Sequence, residues 1–470
     1  MSETLHFFRT GLNNNGSTKK LYALAAKLDK SNYNRPNLNK LNIGPDFMTL
    51  RLLYIAPFFP PLARAASYTS IKFVRGLANL GCQIDVLSDL WPSAPKDPAT
   101  LDFIPKNVRV FRDFSSRGKG VNITQSTRLK ASPSSPTKKA SVEWLPMGEM
   151  GFFMGHGARA AQNLAKKTPY DAIIAQASPV ASLESARRVA KKTGLPLFGL
   201  LDDPWGPCDL RAGRRPWHTR LIEGWFERRF LQQASHCFLV TETTCNDYRI
   251  AFPQLPADFF SYIHCGIDAA LLGDMGVGTA TLNPNGPFTI LFLGTFSNFV
   301  RPQHFFALLK ELAKRGWTPD KIRFSPTTQL DQDSLKEAKA HGITDYIVPI
   351  PPVPHNQVAA LMSQADLLAL SVMTPQRIAA KTYDYLAVDR PILALSKHHP
   401  ELQRLLSETG AGQLFHPEEG GKSADYVESL LTGSRPPTTH RSSVALEALE
   451  IATSAQTMLY QINKTLQNSC

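Results

Sequence analysis

From Leu50 the chain alternates short apolar runs with amphipathic stretches. "LRLLYIA" is an unbroken apolar run closed by Pro57, the pattern of a parallel strand covered on both faces. "SYTSIKFVRGLANLG" follows with Ile71, Val74, Leu77 and Leu80 at helical spacing and Gly81 as a stop. "QIDVLSD" then reads as a second strand, which completes a βαβ unit. The alternation continues through "NVRVFRDF", "MGHGARAAQNLAKK", "YDAIIAQAS", "VASLESARRVAKKTG", "PLFGLLDDPW", "SHCFLVT" and "FSYIHCG". It predicts a doubly wound Rossmann-like domain over 49–268, interrupted by a polar, basic, mobile insertion at about 114–140.

A Gly, Thr and Pro-rich linker at 269–285 separates this from a second alternation. "FTILFLG", "KIRFSP", "YIVPIPPV", "DLLALSV" and "PILALS" read as strands. "RPQHFFALLKELAKRG", "LDQDSLKEAKAHG", "NQVAALMSQA" and "AAKTYDYLAV" read as the helices between them, giving a second Rossmann-like domain over 286–417. Residues 418–470 form a C-terminal helical segment in which "SSVALEALEIATSAQTMLYQINKTL" reads as one long amphipathic helix. Residues 1–48 read as a flexible tail. The fold class is therefore α/β, with two doubly wound domains facing a cleft and a C-terminal helix. Ligands of such open sheets bind at the carboxyl ends of the strands.

Composition narrows the partners. Apolar residues make up 43% and charged residues 19%, a globular profile. Lys plus Arg number 52 against 39 Asp plus Glu, a net charge of +13 that suits an anionic partner. Without an arginine-rich tract or a nucleic-acid-binding signature, the expectation is a phosphorylated small molecule or an anionic membrane surface, and no nucleic acid. The six cysteines lack metal-ligand spacing and several lie in apolar runs, so they read as small core residues of a reduced compartment. No signal-peptide pattern and no run of roughly 18–20 apolar residues is present. A cytoplasmic protein, at most peripheral on the inner face of the cell membrane, is expected.

Five strand ends carry polar or small residues: "PFFPPLARAASYTS", "QASPV", "LDDPWGP", "LGTFSNFVRP" and "SVMTPQRIAAKTYDY". Each alone is an ordinary loop; together they point to a site. With "LANLGCQIDVLS", "VTETTCNDY", "IHCGID", "ILFLGTF", "ADLLAL" and "KTYDYLAVDRPILAL", their order and spacing over about 50–416 resemble GT-B glycosyltransferases of the retaining group called family 4. The likeness is greatest to the branch acting in bacterial surface polysaccharide assembly.

The resemblance implies a nucleotide diphosphate-sugar as donor substrate, held by the second domain, with no further cofactor and no metal. Gly294, followed by Thr295, matches the glycine that lies against the diphosphate, where backbone amides favour an anion. Arg301 is the nearby cation, and Lys381 matches a lysine near the phosphates. Gln376 and Asp384 occupy the positions of a glutamate pair that grips sugar and ribose, with Thr382 and Tyr383 beside them. In the first domain Asp202 and Asp203 fall where the family places an acceptor-activating group, so Asp203 would orient the acceptor hydroxyl or take its proton. Arg64, Ser67 and Ser178 would line the acceptor side, and Gly266 and Asp268 would hold the hinge turn. Such chemistry relies on cations and amides to stabilise the departing diphosphate.

The implied activity is transfer of a sugar to a saccharide or lipid-linked saccharide in cell-envelope polysaccharide synthesis. Two alternatives stay open: a GT-B nucleotide-sugar epimerase, and a catalytically silent GT-B scaffold, the latter favoured by Gln376 and the Ala-Ala-Ser loop. In "RRPWHTRLIEGWFERRFL", Trp217, Leu221, Trp225, Phe226 and Phe230 share a helical face among arginines. A core-facing helix with a solvated basic side is expected there, against the alternative of a patch that meets anionic lipid.

Overall fold

The computed structural model describes residues 49–89, 94–112, 121–122, 151, 153–177, 179–203, 205–208, 216–272, 286–297, 299–433 and 441–469. The tail at 1–48, nearly all of the insertion at 114–140 and most of the 269–285 linker lie outside the described residues.

The first domain carries β1 (Arg51–Ile55), α1 (Ala65–Asn79), β2 (Gln83–Leu87), β3 (Val108–Arg112), β4 (Val121–Asn122), α2 (Phe153–Ala165), β5 (Ala172–Gln176), α3 (Ala181–Thr193), β6 (Leu197–Leu201), α4 (Trp217–Gln233), β7 (His236–Leu239), α5 (Glu242–Ala251) and β8 (Phe260–Tyr262). Its strands form one sheet in the order β4-β3-β2-β1-β5-β6-β7-β8, parallel except for the short antiparallel β4. Leu52, Leu53, Tyr54 and Ile55 are all buried, because helices cover both faces of β1, which is why its sequence does not alternate.

The second domain carries β9 (Phe288–Phe292), α6 (Phe306–Lys314), β10 (Ile322–Pro326), α7 (Gln332–Ala340), α8 (Val358–Gln364), β11 (Leu367–Ser371), α9 (Lys381–Leu386), β12 (Ile392–Leu395), α10 (Pro400–Thr409), β13 (Gly412–Phe415) and α11 (Gly420–Leu431). All its strands are parallel, in the order β10-β9-β11-β12-β13. The expected strand at "YIVPIPPV" does not form. Ile347 and Ile350 run beside β10, but Pro349, Pro351 and Pro352 have no N–H to continue a ladder.

The expected long closing helix is also broken, into α12 (Ser443–Glu447) and α13 (Ile451–Ser469). Between them Leu449 and Ile451 spend their backbone groups on Ile267, with N···O distances of 2.8 Å in both directions. Gly266 beside this contact has φ +74°, and a Cβ there would lie 2.6 Å from the Ile451 Cα, so only glycine fits. α13 returns to pack on α1 of the first domain, whereas α11 packs on α6 of the second. Ile451, Ala455, Met458, Leu459 and Ile462 share one apolar core with Leu52, Tyr54, Phe73 and Val74, and this core continues into the second domain at Leu291, Leu368 and Tyr385.

α4 departs from expectation as well. Phe230 is buried, but Trp217, Leu221 and Trp225 are exposed, because the inward face is formed by Thr219, Glu223, Glu227 and Phe230. Four cysteines, Cys82, Cys237, Cys245 and Cys265, are buried and unbridged.

Candidate functional site

In the first sheet β1 lies between β2 and β5; in the second, β9 lies between β10 and β11. The chain leaving β1 goes to β2 and the chain leaving β5 to β6 on the other side, as β9 goes to β10 and β11 to β12, so a crevice opens at the carboxyl ends between β1 and β5 and between β9 and β11. The chain that leaves β9 and β11 carries the groups expected to meet an anion.

Gly294 follows β9 with φ +105°, a conformation that L side chains resist, and its N–H donates to the Thr327 hydroxyl at 2.9 Å. Thr295 and Ser297 beyond it are exposed. Lys381 opens α9 and reaches back to this turn. Its Nζ donates to the Leu293 carbonyl at 2.5 Å, lies 3.7 Å from the Phe292 ring centroid, and would stand 3.7 Å from a Cβ on Gly294. No carboxylate among the described residues pairs with it, and desolvation lowers its pKa to about 7.

Arg301 lies at the mouth of the same loop, exposed, with its backbone N–H on His304 Nδ1 at 3.4 Å. His304 also bonds the Ser371 hydroxyl at 2.6 Å. Burial, then the charges of Arg301 and Lys397, push its pKa down to about 4, so it is neutral at pH 7.

The other second-domain candidates meet the first domain. Asp384 accepts from Lys72 Nζ at 2.6 Å, and the same amine donates to the Gly266 carbonyl at 3.1 Å. Tyr383 is fully buried with its hydroxyl 3.3 Å from His264 Nδ1, which places it in the contact between domains. Thr382 is buried too, its hydroxyl without a hydrogen-bond partner. Gln376 directs its side-chain amide to Asp247 at 3.4 Å, and its backbone carbonyl accepts from the Thr241 hydroxyl at 3.4 Å.

In the first domain, Tyr54 donates to Gln176 Oε1 at 2.8 Å, and Gln176 Nε2 donates to Asp202 at 2.7 Å. Burial, reinforced by the charge of Asp203, raises the Asp202 pKa to about 7, which makes it a group that holds or releases a proton near neutrality. Asp203 accepts from Arg377 of the second domain at 2.6 Å. Trp205 is buried; its backbone N–H donates to the Tyr248 hydroxyl, which donates to Glu227 of α4. Arg64 is exposed over the Phe58 ring at 5.1 Å, and Ser67 is buried with its hydroxyl unpartnered. Ser178 lies outside the described residues.

Thus Gly294, Lys381, Arg301 and the unanticipated His304 gather at one strand edge, while Asp202 and Asp203 gather at the other. Arg377 and Lys72 join the two edges and were missed in the sequence. Arg377 had a weak signal, since it follows Gln376 in a strand-end loop already singled out; Lys72 had none, sitting inside an apolar helix pattern.

No family model matches the chain, and no curated protein sequence does. Solved structures do match. Sucrose-phosphate synthase from Thermosynechococcus elongatus is 14% identical with a TM-score of 0.61, over 90% of this chain and 100% of that one. Anabaena HepE in complex with UDP-glucose is 16% identical with a TM-score of 0.58, over 89% of this chain and 100% of that one. UDP-GlcNAc 2-epimerase from Neisseria meningitidis bound to UDP-GlcNAc is 12% identical with a TM-score of 0.54, over 88% and 100%. These likenesses span both domains, and the fold of this chain is GT-B.

Proposed function

We propose that the protein is a retaining, metal-independent glycosyltransferase that moves a sugar from a nucleotide diphosphate-sugar to a saccharide or lipid-linked saccharide acceptor, in cell-envelope polysaccharide synthesis on the cytoplasmic side. The observation that carries the reading is the Lys381 amine, desolvated, without a carboxylate among the described residues, and aimed at the Gly294 turn. A diphosphate there would supply the missing counter-charge, with Arg301 at the rim. Lys72 engages Asp384 Oδ1, and in this reading Oδ2 accepts from the ribose. Asp202 and Asp203 serve the acceptor hydroxyl from the opposite edge.

Titration calorimetry against UDP, GDP, dTDP and ADP sugars tests this. At least one species should bind, and Lys381→Met should weaken it by about 1.5–3 kcal/mol, the range for hydrogen bonds to charged groups. No binding by any of them would sink the reading. A silent GT-B scaffold is the second reading, favoured because Gln376 is engaged by Asp247 rather than presented to a ligand. Donor binding without turnover on any acceptor would support it, and formation, without an acceptor, of the nucleotide-sugar epimerised at a ring carbon, or of the free epimerised sugar and the nucleotide, would point to an epimerase.

A further inference from the structure

Helix α4 is built inside out. Both its carboxylates, Glu223 and Glu227, face inward with Thr219, while Trp217 is 72% exposed, Trp225 50%, Leu221 42% and Ile222 41%. Among the described residues no other helix exposes more than one large apolar side chain. The outward-facing residues therefore carry apolar and cationic groups and, at the C-terminal end, Gln232 and Gln233, with no carboxylate among them. Arg220 and Arg228 are exposed on it, and the Arg229 guanidinium lies 4.2 Å from the Trp225 ring centroid. Water alone disfavours this arrangement, since burying two carboxylates while exposing two indoles reverses the usual partition.

We propose that α4 docks on an anionic bilayer surface. Trp217, Leu221, Ile222 and Trp225 enter the boundary between headgroups and acyl chains, where indoles are favoured, and the arginines meet lipid phosphates. A second copy is the poorer occupant: an isologous contact would press the arginine sets of two chains of charge +13 together. The inner face of the docked helix leads to the cleft. Glu227 accepts from Tyr248, Tyr248 accepts from the Trp205 N–H, and Trp205 belongs to the loop that carries Asp202 and Asp203. Docking thus holds that loop over the lipid surface. The inference does not rest on the nucleotide-sugar reading, and its test uses no sugar nucleotide.

The full chain is sedimented with vesicles of phosphatidylcholine alone and of phosphatidylcholine mixed with phosphatidylglycerol. It should bind the mixed vesicles at low salt and dissociate as salt rises. The double substitution Trp217→Ser, Trp225→Ser should lower partition by roughly tenfold or more, as expected from the apolar area withdrawn, with melting temperature and circular dichroism preserved. Arg220→Glu should reduce the preference for the anionic vesicles. The proposal is overturned if the wild-type chain stays in the supernatant, if the double variant sediments as the wild type does, or if neutral vesicles bind equally well. A dimer in sedimentation velocity that the double variant dissolves, without vesicle binding, would assign the face to a second copy instead.

Discussion

Among the described residues, Lys381 holds its amine against a carbonyl and an aromatic face and meets no carboxylate. Above about pH 7 it is largely neutral in the free protein. A bound diphosphate would restore its charge, so binding above that pH should take up a proton. Calorimetry in buffers of different ionisation enthalpy should detect this uptake, and it should vanish in Lys381→Met; equal heats in all buffers would place the phosphates elsewhere. Much at this scale was legible, because Gly294 and Lys381 fall at strand ends that any parallel sheet offers to ligands. The pairs Asp203–Arg377 and Asp384–Lys72 were not, since each joins residues far apart in sequence and only the docking of the domains brings them together. Tyr383, expected beside the donor, has its ring buried against His264.

At the scale of elements, unbroken apolar runs declared the buried parallel strands, and helical spacing declared the helices between them. Two of the failures lie in backbone hydrogen bonding. Prolines deny "YIVPIPPV" its donors, and Ile267 draws Leu449 and Ile451 out of what would be a continuous helix. α4 differs because its aromatic residues do not share one face: Phe230 turns inward with Glu223 and Glu227, whereas Trp217 and Trp225 turn outward. α13 gives the sharpest test of its own packing. Ile462 is fully buried, so Ile462→Ala should cost about 2–5 kcal/mol by lost burial and the cavity left behind. Urea denaturation would measure this, and a cost within error of zero would mean that α13 does not pack as described.

At the scale of the molecule, contacts between the domains are mostly polar at the site and apolar behind it. Lys72–Asp384, Arg377–Asp203 and Arg404–Glu242 cross the boundary, and Tyr68 of the first domain stacks on His355 of the second at 4.2 Å. Lys72 has only 3% of its side chain exposed, so removing its partner leaves a charge stranded. Asp384→Ala should therefore cost about 3–5 kcal/mol, and Lys72→Met in the same chain should recover part of it. Strict additivity of the two substitutions would show that the pair is not coupled. Scattering should report a larger radius of gyration for Asp384→Ala if the pair helps hold the domains together. Two successive doubly wound domains were readable from the βα alternations; which charges meet across their boundary was not, because hydrophobic periodicity says nothing about that.

The return of α13 onto α1 has a consequence for how the protein is made. The apolar face of the first domain to leave the ribosome is completed by a helix translated after the whole second domain. Until that helix arrives, Phe73, Val74 and their neighbours lack part of their cover, so the first domain emerges with an open seam. Completion of that core waits on the last helix, so its apolar seam stays uncovered throughout synthesis of the second domain, the condition under which nascent chains are prone to aggregate.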